Sequence, residues 1–411
     1  MTNRWLQIAH TSGAGLAIAV ISAGNLSITA RLLGAEGRGE LAAATTWALL
    51  FGTFGSLSVG QTVLHRTAGR ERSEWLPDVS ASLLFLIGAL SCACFAVAAL
   101  AFRISHGVLF GNVGATSLTL AFLALPFLMA SEHGRFLLYA IDAVSRSNRA
   151  QVLGVVATSL SLVLLVFGLR LGVVGALLAA LVGSVATTVY SWAPLVGRHL
   201  PSGRTAREML LSGAKLHANA VGSFLFQQGS VLVVNRYRPA DEVAFYQFAI
   251  QLFMLALLLP NAIGTTAFAQ VGELGPDAAW PAQRRLLWQA LGLTVLAAAA
   301  GYLLAPLAVR IVAGERFLPA AELFRKLLPA LLPAAAASVL ASQWLGRGLF
   351  WQTAALTCGV GVAALGLSIA LVPRAGTNGA VWAMLGAYGC SAAASAVFYL
   401  WIERSVRART G

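Results

Sequence analysis

Apolar runs of about 20 residues recur along the whole chain and are separated by short polar connections. A helix of about 20 residues is long enough to cross a hydrocarbon core of ~30 Å, so each run predicts one membrane-spanning helix. The short alternating segments that are typical of a transmembrane barrel are absent from the sequence. The pattern therefore predicts an all-α polytopic membrane protein with twelve spans, at approximately residues 8–31, 40–64, 79–102, 116–141, 151–169, 172–196, 213–235, 243–270, 287–312, 321–345, 352–372 and 377–402.

The polar turns between these spans indicate an internal duplication. Residues 23–50 and 226–253 each contain two apolar segments joined by a short charged turn, and a shift of 205 places aligns Arg31 with Arg236. A similar shift of 204 places aligns two glycines near the sixth and twelfth spans, Gly172 and Gly376. Separate anchors at nearly one period predict two halves of equal length.

Six spans in each half place both halves in the same orientation, as in transporters whose parallel repeats are related by an axis along the membrane normal. Transporters of this kind bind their substrate between the two halves. The predicted organisation is an N-terminal six-helix bundle at 1–200, a cytoplasmic linker at 201–212 and a C-terminal six-helix bundle at 213–411.

The charge balance is strongly basic, with 28 Lys and Arg against 15 Asp and Glu and a net charge of +13. Lys and Arg concentrate in the cytoplasmic connections of membrane proteins, and an arrangement with both termini in the cytoplasm places 17 of the 28 on that side. No basic and aromatic soluble module is left over to bind a nucleic acid. We therefore expect both termini in the cytoplasm and no nucleic-acid partner.

Span seven carries a polar stripe on an otherwise apolar helix. Lys215, Asn219, Ser223, Gln227 and Ser230 follow one another at steps of four, four, four and three, which places them on one helical face. Polar side chains inside a membrane must face another helix or an aqueous cavity. The stripe therefore either lines a cavity that binds substrate or forms hydrogen bonds between packed spans.

Other spans repeat this pattern more weakly. Asn25 lies in span one, at the place that the repeat aligns with the stripe of span seven, and Gln247 and Gln251 form a short stripe in span eight. Arg31 and Arg236 end spans one and seven. An Arg at a span end either extends to the headgroups or, for a substrate with a diphosphate, binds the phosphates, whose geometry its guanidinium matches.

Span four contains charges deep within the predicted membrane. Glu132, Arg135, Tyr139 and Asp142 step by three, four and three and share one face. A charge in mid-helix costs about 2.5–3.5 kcal/mol on insertion scales, and the pairing of Glu132 with Arg135 would offset part of this cost. The pair is a structural ion pair, a substrate contact or a proton site, with Glu132 as the candidate for ion coupling.

Catalytic and cofactor motifs are absent from the sequence. No Walker A sequence is present, and no long connection could hold a glycosyltransferase or ligase site. The four cysteines lie inside apolar runs, where they are expected to pack as small apolar residues. We therefore expect a protein that is not an enzyme and that has no cofactor or metal.

Several segments resemble a known family. The turns RLLGAEGRGEL (31–41) and RYRPADEVAFYQFA (236–249), together with LLLPNAIGTTAFAQV (257–271) and GERFLPAAELFRKLLPALL (314–332), are similar in order and spacing to the polysaccharide-unit flippases. These are the Wzx-type branch of the multidrug/oligosaccharidyl-lipid/polysaccharide exporter superfamily. Each segment is a degenerate pattern, and together they cover nearly the whole chain.

The resemblance implies a function and a cavity. It implies that the protein translocates an undecaprenyl-diphosphate-linked oligosaccharide, which is an O-antigen, capsule or exopolysaccharide repeat unit, across the bacterial inner membrane by alternating access. Spans one, two, seven and eight would line the cavity, and a polysaccharide polymerase and other assembly proteins would be partners. Many relatives have an acid in span seven where this chain has Ser230, which leaves Glu132 as the deep acidic residue.

Other functions stay open on the sequence alone. A cation-coupled small-molecule exporter and a lipid II flippase share the superfamily. A membrane-embedded polysaccharide polymerase or ligase belongs to another class and would need a catalytic periplasmic loop. A further alternative is an assembly partner of a capsule synthase that transports nothing itself.

Overall fold

The computed structural model describes residues 2–66, 71–197 and 199–410. Within these ranges every long regular element is a helix and no strand occurs. A π-helix continues α6 over Val163–Gly168. The helices are α1 (Thr2–Ser56), α2 (Gln61–Arg66), α3 (Arg72–Ile104), α4 (Ala115–Leu123), α5 (Leu125–Ala140), α6 (Val144–Leu162), α7 (Gly172–Trp192), α8 (Gly203–Tyr237), α9 (Ala240–Ala256), α10 (Leu258–Leu274), α11 (Pro276–Ala313), α12 (Leu318–Leu327), α13 (Leu331–Gly346) and α14 (Phe350–Thr410).

The predicted spans all fall on helices. Among the residues described, eight helical segments are long and apolar enough to cross a membrane, and the bent pair α9–α10 is one further candidate. Two of the eight hold two predicted spans each, because α1 is interrupted at Gly34 and α14 at Gly376. Helix α8 is not among these segments. Its 35 residues are about 50 Å long, but the polar stripe lowers its mean hydropathy. The all-α polytopic membrane fold is confirmed.

Glycine makes both interruptions possible. Gly34 has φ 68° and ψ −175°, and Gly376 has φ 59° and ψ −142°, conformations that residues with a Cβ rarely adopt. Gly172, which the predicted repeat aligns with Gly376, begins α7 with φ 57°. The positive φ that these two glycines share agrees with the predicted repeat, and the repeat as a whole stays a prediction.

The chain divides into two compact units, and the division falls inside α8. The domain limits predicted from the sequence, 1–200 and 213–411, differ from this division and stay a prediction. The first unit comprises Met1–Val221 and Pro239–Asp241, and the second comprises Gly222–Arg238 and Glu242–Gly411.

The first turns of α8 are packed against the first unit. The sequence placed a linker at 201–212, whereas the residues from Gly203 onward are helical. Thr205 Oγ1 donates a hydrogen bond of 2.6 Å to Asp78 Oδ2 of α3, and the Met209 side chain is buried in the apolar core of the first unit. These turns are therefore held by packing and a charge-assisted hydrogen bond.

The core of the first unit is built around α5. Leu125 and Met129 are fully buried in one apolar cluster with Leu83 of α3 and Trp192 of α7. Trp192 also donates a 2.7 Å hydrogen bond from Nε1 to the Ala130 carbonyl, so the indole nitrogen is satisfied in an otherwise apolar position. These contacts fix the position of α5 against α3 and α7.

Helices α6 and α7 approach each other closely through two glycines. A Cβ on Gly154 would collide with the Thr187 hydroxyl, and a Cβ on Gly183 would collide with the Thr158 hydroxyl. Each threonine also donates a 2.9 Å hydrogen bond to the carbonyl of the glycine in its own helix, Thr158 to Gly154 and Thr187 to Gly183. Small residues at a crossing let helix backbones approach closely, which is a common basis of packing in membranes.

The second unit contains a buried polar network between α11 and α13. Gln283 Nε2 donates to the Val339 carbonyl at 2.7 Å, and Gln343 Nε2 donates to Gln283 Oε1 at 2.6 Å. The Arg347 guanidinium lies 2.7 Å from the Asp277 carboxylate, and the Arg347 side chain is only 8% exposed. Because buried polar groups need partners, this network holds the two helices in one register.

Candidate functional site

The polar stripe of α8 is exposed over most of its length. Lys215, Asn219 and Gln227 are exposed and Ser223 is half-buried. By helical periodicity the ammonium group and the two carboxamides share one face of α8, with Asn219 about 6 Å along the helix from Lys215 and Gln227 about 12 Å beyond Asn219. Carboxamides and ammonium groups donate hydrogen bonds to hydroxyl and phosphate oxygens. This surface, Lys215–Asn219–Gln227, is here called the α8 polar face.

Ser230, the last residue of the stripe, differs from the exposed residues before it. Its side chain is buried, and its Oγ lies 2.8 Å from the Tyr246 Oη of α9. Tyr246 is itself fully buried, so each hydroxyl supplies the partner that the other needs. Substrate binding by Ser230 stays a prediction, but its hydroxyl is already used within the second unit, and we leave it out of the α8 polar face.

The other predicted residues of the second unit lie on α8 and α9. Arg236 is exposed, with its guanidinium carbon 5.5 Å from the centre of the Tyr237 ring. Gln247 and Gln251 are half-buried and both interact with other groups of the protein. Arg236 is thus a cation that an anion can reach from the surface.

In the first unit, Asn25 takes part in helix packing. Ser159 Oγ of α6 donates a 2.7 Å hydrogen bond to Asn25 Oδ1 of α1. This bond supports the packing interpretation for Asn25, and substrate contact by its amide nitrogen stays a prediction. Arg31, six residues further along α1, is exposed.

Glu132 and Arg135 come together in a polar cavity of the first unit. The cavity has a volume of about 190 Å³ and lies among α5, α6 and α7. Seven residues line it, and all seven have polar side chains: Ser131, Glu132, Arg135, Ser147, Gln151, Thr187 and Ser191. Since one water molecule occupies about 30 Å³ of liquid and needs two to four polar partners, the cavity suits a small cluster of water.

The spacing of the lining residues on α6 and α7 is a sequence signal for this cavity that the predicted sites did not include. Ser147 and Gln151 are four residues apart on α6, and Thr187 and Ser191 are four residues apart on α7. Each pair therefore lies on one helical face. Polar pairs at this spacing on two consecutive helices, α6 and α7, indicate a polar space shared with the face of Glu132 and Arg135.

The second unit contains a larger cavity, which is apolar rather than polar. Its volume is about 490 Å³, and its walls are almost entirely apolar. It can hold hydrocarbon and offers almost nothing to bind a charge. The lining includes Leu287, Trp288, Leu291, Leu340, Tyr399 and Leu400.

Comparison with known proteins gives a family match. The sequence profile of a family described as "Polysaccharide biosynthesis protein" matches residues 5–269, which is more than half of the chain. No curated protein matches the chain.

Comparison with solved structures gives the fold. A multidrug resistance MATE family transporter of the MOP superfamily, in an inward-facing conformation, aligns over 97% of this chain and 95% of its own with a TM-score of 0.66 and 18% identity. The lipid II flippase MurJ in an inward closed conformation aligns over 97% and 87% with a TM-score of 0.77 and 14% identity. A MOP superfamily transporter from Pyrococcus furiosus aligns over 98% and 94%, with a TM-score of 0.57 and 17% identity.

At these identities the structural likeness shows the fold, and the sequence profile shows the family. The predicted relation to polysaccharide biosynthesis proteins is confirmed by the sequence profile, and the fold is that of the MOP superfamily transporters. The chain is a multi-pass membrane protein with the fold of MOP superfamily transporters, and it belongs to the polysaccharide biosynthesis protein family.

Proposed function

We propose that this protein is a flippase that moves an undecaprenyl-diphosphate-linked oligosaccharide from the cytoplasmic to the periplasmic leaflet of the bacterial inner membrane. The cargo would be an O-antigen, capsule or exopolysaccharide repeat unit, moved by alternating access. The observation that carries the proposal is the combination of a polysaccharide biosynthesis family with a transporter fold.

The α8 polar face supports a cargo rich in hydroxyl groups. Asn219 and Gln227 offer amide donors and acceptors that suit sugar hydroxyls, and their exposure leaves these groups accessible. Lys215 adds a cation on the same face, while the face itself carries no acid. A surface of neutral amides with a positive charge suits a sugar joined to a diphosphate better than it suits a cationic drug.

Exposed cations at span ends would bind the diphosphate. Arg31 and Arg236 are both exposed, and a guanidinium can bind two phosphate oxygens at once. Arg135 was predicted as a further contact, and it lines the polar cavity of the first unit together with Glu132. The lipid chain would stay in the bilayer.

Orientation and partners are part of the same proposal. Both termini would be cytoplasmic, as the distribution of Lys and Arg predicts; two of the residues counted, Arg70 and Arg198, lie outside the described residues. A polysaccharide polymerase and other assembly proteins would take up the product, and the flippase itself would catalyse no reaction. A multi-pass membrane protein with the fold of transporters supports this role.

The proposal is tested in cells that lack the gene. We expect them to accumulate the lipid-linked repeat unit in a form that a membrane-impermeant, periplasmic glycosidase cannot reach, and the intact gene to restore access. Normal periplasmic access in the deletion strain, together with increased sensitivity to dyes or drugs, would favour a small-molecule exporter instead. Loss of cell-wall precursor in the periplasm would favour lipid II as the cargo.

A further inference from the structure

We propose that the apolar cavity of the second unit binds an acyl chain of one anionic phospholipid from the cytoplasmic leaflet, and that arginines at its rim bind the phosphate of that lipid. The site would hold a resident lipid, so the proposal does not depend on the cargo proposed above. Two observations carry it: the apolar walls of the cavity and a group of guanidiniums about one helical turn beyond one end of it.

The cavity extends along the three helices that form it, α11, α13 and α14. Its lining runs from Leu332 to Leu340 on α13 and from Ala392 to Leu400 on α14. Eight residues of helix rise about 12 Å, and this length lies in the direction in which lipid chains run in a bilayer. The volume of about 490 Å³ is within the range of ~300–1,000 Å³ that is usual for ligand pockets. The cavity therefore suits a length of hydrocarbon chain.

The cavity opens to the surface of the protein. Trp288 and Leu400 belong to its lining, yet their side chains are 63% and 56% exposed. Further along α11, Leu296 and Leu303 are also exposed. Exposed apolar surface of this extent marks a site of interaction with a membrane or a partner, and a Trp near the end of a span is typical of the membrane–water interface. A lipid chain can thus enter the cavity from the bilayer.

Cations are concentrated at the end of the cavity near Trp288 and Leu400. Arg285 of α11 lies three residues before Trp288, and Arg404 of α14 lies four residues after Leu400. Residues three or four apart are neighbours on a helix surface, so both arginines lie about one turn beyond the lining. Arg284 adjoins Arg285, and all three arginines are exposed. The distribution of Lys and Arg predicts that this end is cytoplasmic.

The one carboxylate at this end is already paired. Glu403 Oε1 accepts hydrogen bonds from Arg284 at 3.1 Å and from Trp280 Nε1 at 3.2 Å, and the side chain is only 13% exposed. The other acid in the sequence of the three lining helices, Asp277, lies 2.7 Å from the Arg347 guanidinium. The rim therefore carries an excess of positive charge.

An anionic phospholipid matches both parts of the site. Its phosphate adjoins its acyl chains, and a guanidinium can bind two phosphate oxygens at once. Basic pockets between spans on the cytoplasmic side of a membrane are known to bind anionic headgroups. A zwitterionic lipid adds a cation of its own, which the arginines oppose. A second copy of the chain, placed here by two-fold symmetry, would bring the same arginines against this rim, and like charges repel.

The headgroup is tested by native mass spectrometry of the full-length protein with dioleoyl phosphatidylglycerol or dioleoyl phosphatidylcholine. We expect the wild type to bind phosphatidylglycerol more tightly, and the double variant Arg285→Ala/Arg404→Ala to lose about tenfold in affinity for it. Arg316→Ala/Arg374→Ala is the matched control. It removes the same charge from two exposed residues at the other end of the spans, near the break at Gly376, and should bind as the wild type does.

The acyl chain is tested by filling the cavity. Ala396→Trp places a large side chain at an exposed residue of the lining, and binding of phosphatidylglycerol should fall several-fold. Val397→Trp is the control, because Val397 is 69% exposed and lies outside the lining. Both substitutions are at the surface, so both variants should fold, and thermal unfolding checks this.

Four results would overturn the site. Equal binding of the two lipids, or equal losses in the two double variants, would show contact with bulk lipid only. Displacement of phosphatidylglycerol by an equal concentration of undecaprenyl phosphate would assign the cavity to the chain of a polyprenyl lipid, and a dimer that excludes lipid would assign it to a second copy. The measurement requires no transport, so a protein that flips no oligosaccharide would contradict the proposed function and leave this result unchanged.

Discussion

Gly154 of α6 and Thr187 of α7 lie so close together that a Cβ on the glycine would occupy the position of the threonine hydroxyl. The same threonine lines the polar cavity that contains Glu132 and Arg135. Thr187 thus takes part both in the packing of the two helices and in the wall of the cavity. Gly183 and Thr158 repeat the arrangement one step further along the crossing.

The first prediction concerns this crossing. Gly154→Val should separate α6 from α7 and destabilise the protein by about 1–3 kcal/mol, the usual cost of overpacking. The measurement is thermal unfolding of the purified protein in detergent. Gly88→Ala is the control, because Gly88 of α3 is exposed and has no atom within 4 Å of a built Cβ. Equal stability of the two variants would contradict the close packing.

A second prediction tests the assignment of Ser230. Ser230→Ala should cost about 1 kcal/mol or more, because it leaves the buried Tyr246 hydroxyl without its partner, and the translocation rate should stay near that of the wild type. Tyr246→Phe should have a similar effect, and the double variant should cost less than the two single costs added together. A large loss of transport at unchanged stability would instead show that Ser230 contacts the substrate.

A third prediction concerns the cation of the α8 polar face. Lys215→Ala should lower the initial translocation rate by about tenfold or more, since a hydrogen bond to a charged group contributes about 1.5–3 kcal/mol. Protein level in the membrane should stay near normal, because the side chain is exposed. Arg207→Ala, an exposed residue earlier on the same helix, is the matched control. Equal rates for both variants would remove Lys215 from the mechanism.

A fourth prediction concerns the interruption of α14. Gly376→Ala should destabilise the second unit by about 1–3 kcal/mol, because a side chain at φ 59° is strained and a Cβ would press on the Arg238 guanidinium at 3.2–3.5 Å. Gly366→Ala, at an exposed site of α14 with nothing within 4 Å, should be neutral or slightly stabilising. Thermal unfolding distinguishes them, and a neutral Gly376→Ala would argue against the break.

Much of the fold could be predicted from the sequence because a membrane imposes a strong constraint. Uncharged runs of about 20 residues have few alternatives to a spanning helix, so the helices were predicted along the whole chain. The face shared by Lys215, Asn219 and Gln227 followed from helical periodicity in the same way, and all three side chains are exposed.

Periodicity says which residues share a face but not what that face contacts. Ser230 belongs to the same stripe by spacing, and only the packing of α8 against α9 shows that its hydroxyl meets Tyr246. The linker predicted at 201–212 stays a prediction, and the helical structure of its residues from Gly203 onward was not foreseen for a related reason. The first turn of α8 is held by contacts such as Thr205 with Asp78, and contacts between residues far apart in sequence leave no local signal.

The central claim is that the protein moves a lipid-linked oligosaccharide across a bilayer. The most direct measurement is translocation of a fluorescent undecaprenyl-diphosphate-linked oligosaccharide in vesicles containing the purified protein, followed by quenching of the outer leaflet. We expect protected label to become accessible several-fold faster with the wild type than in protein-free vesicles, and Lys215→Ala to fall towards the protein-free rate. Equal rates with and without the protein, while the same vesicles export a cationic dye, would contradict the account.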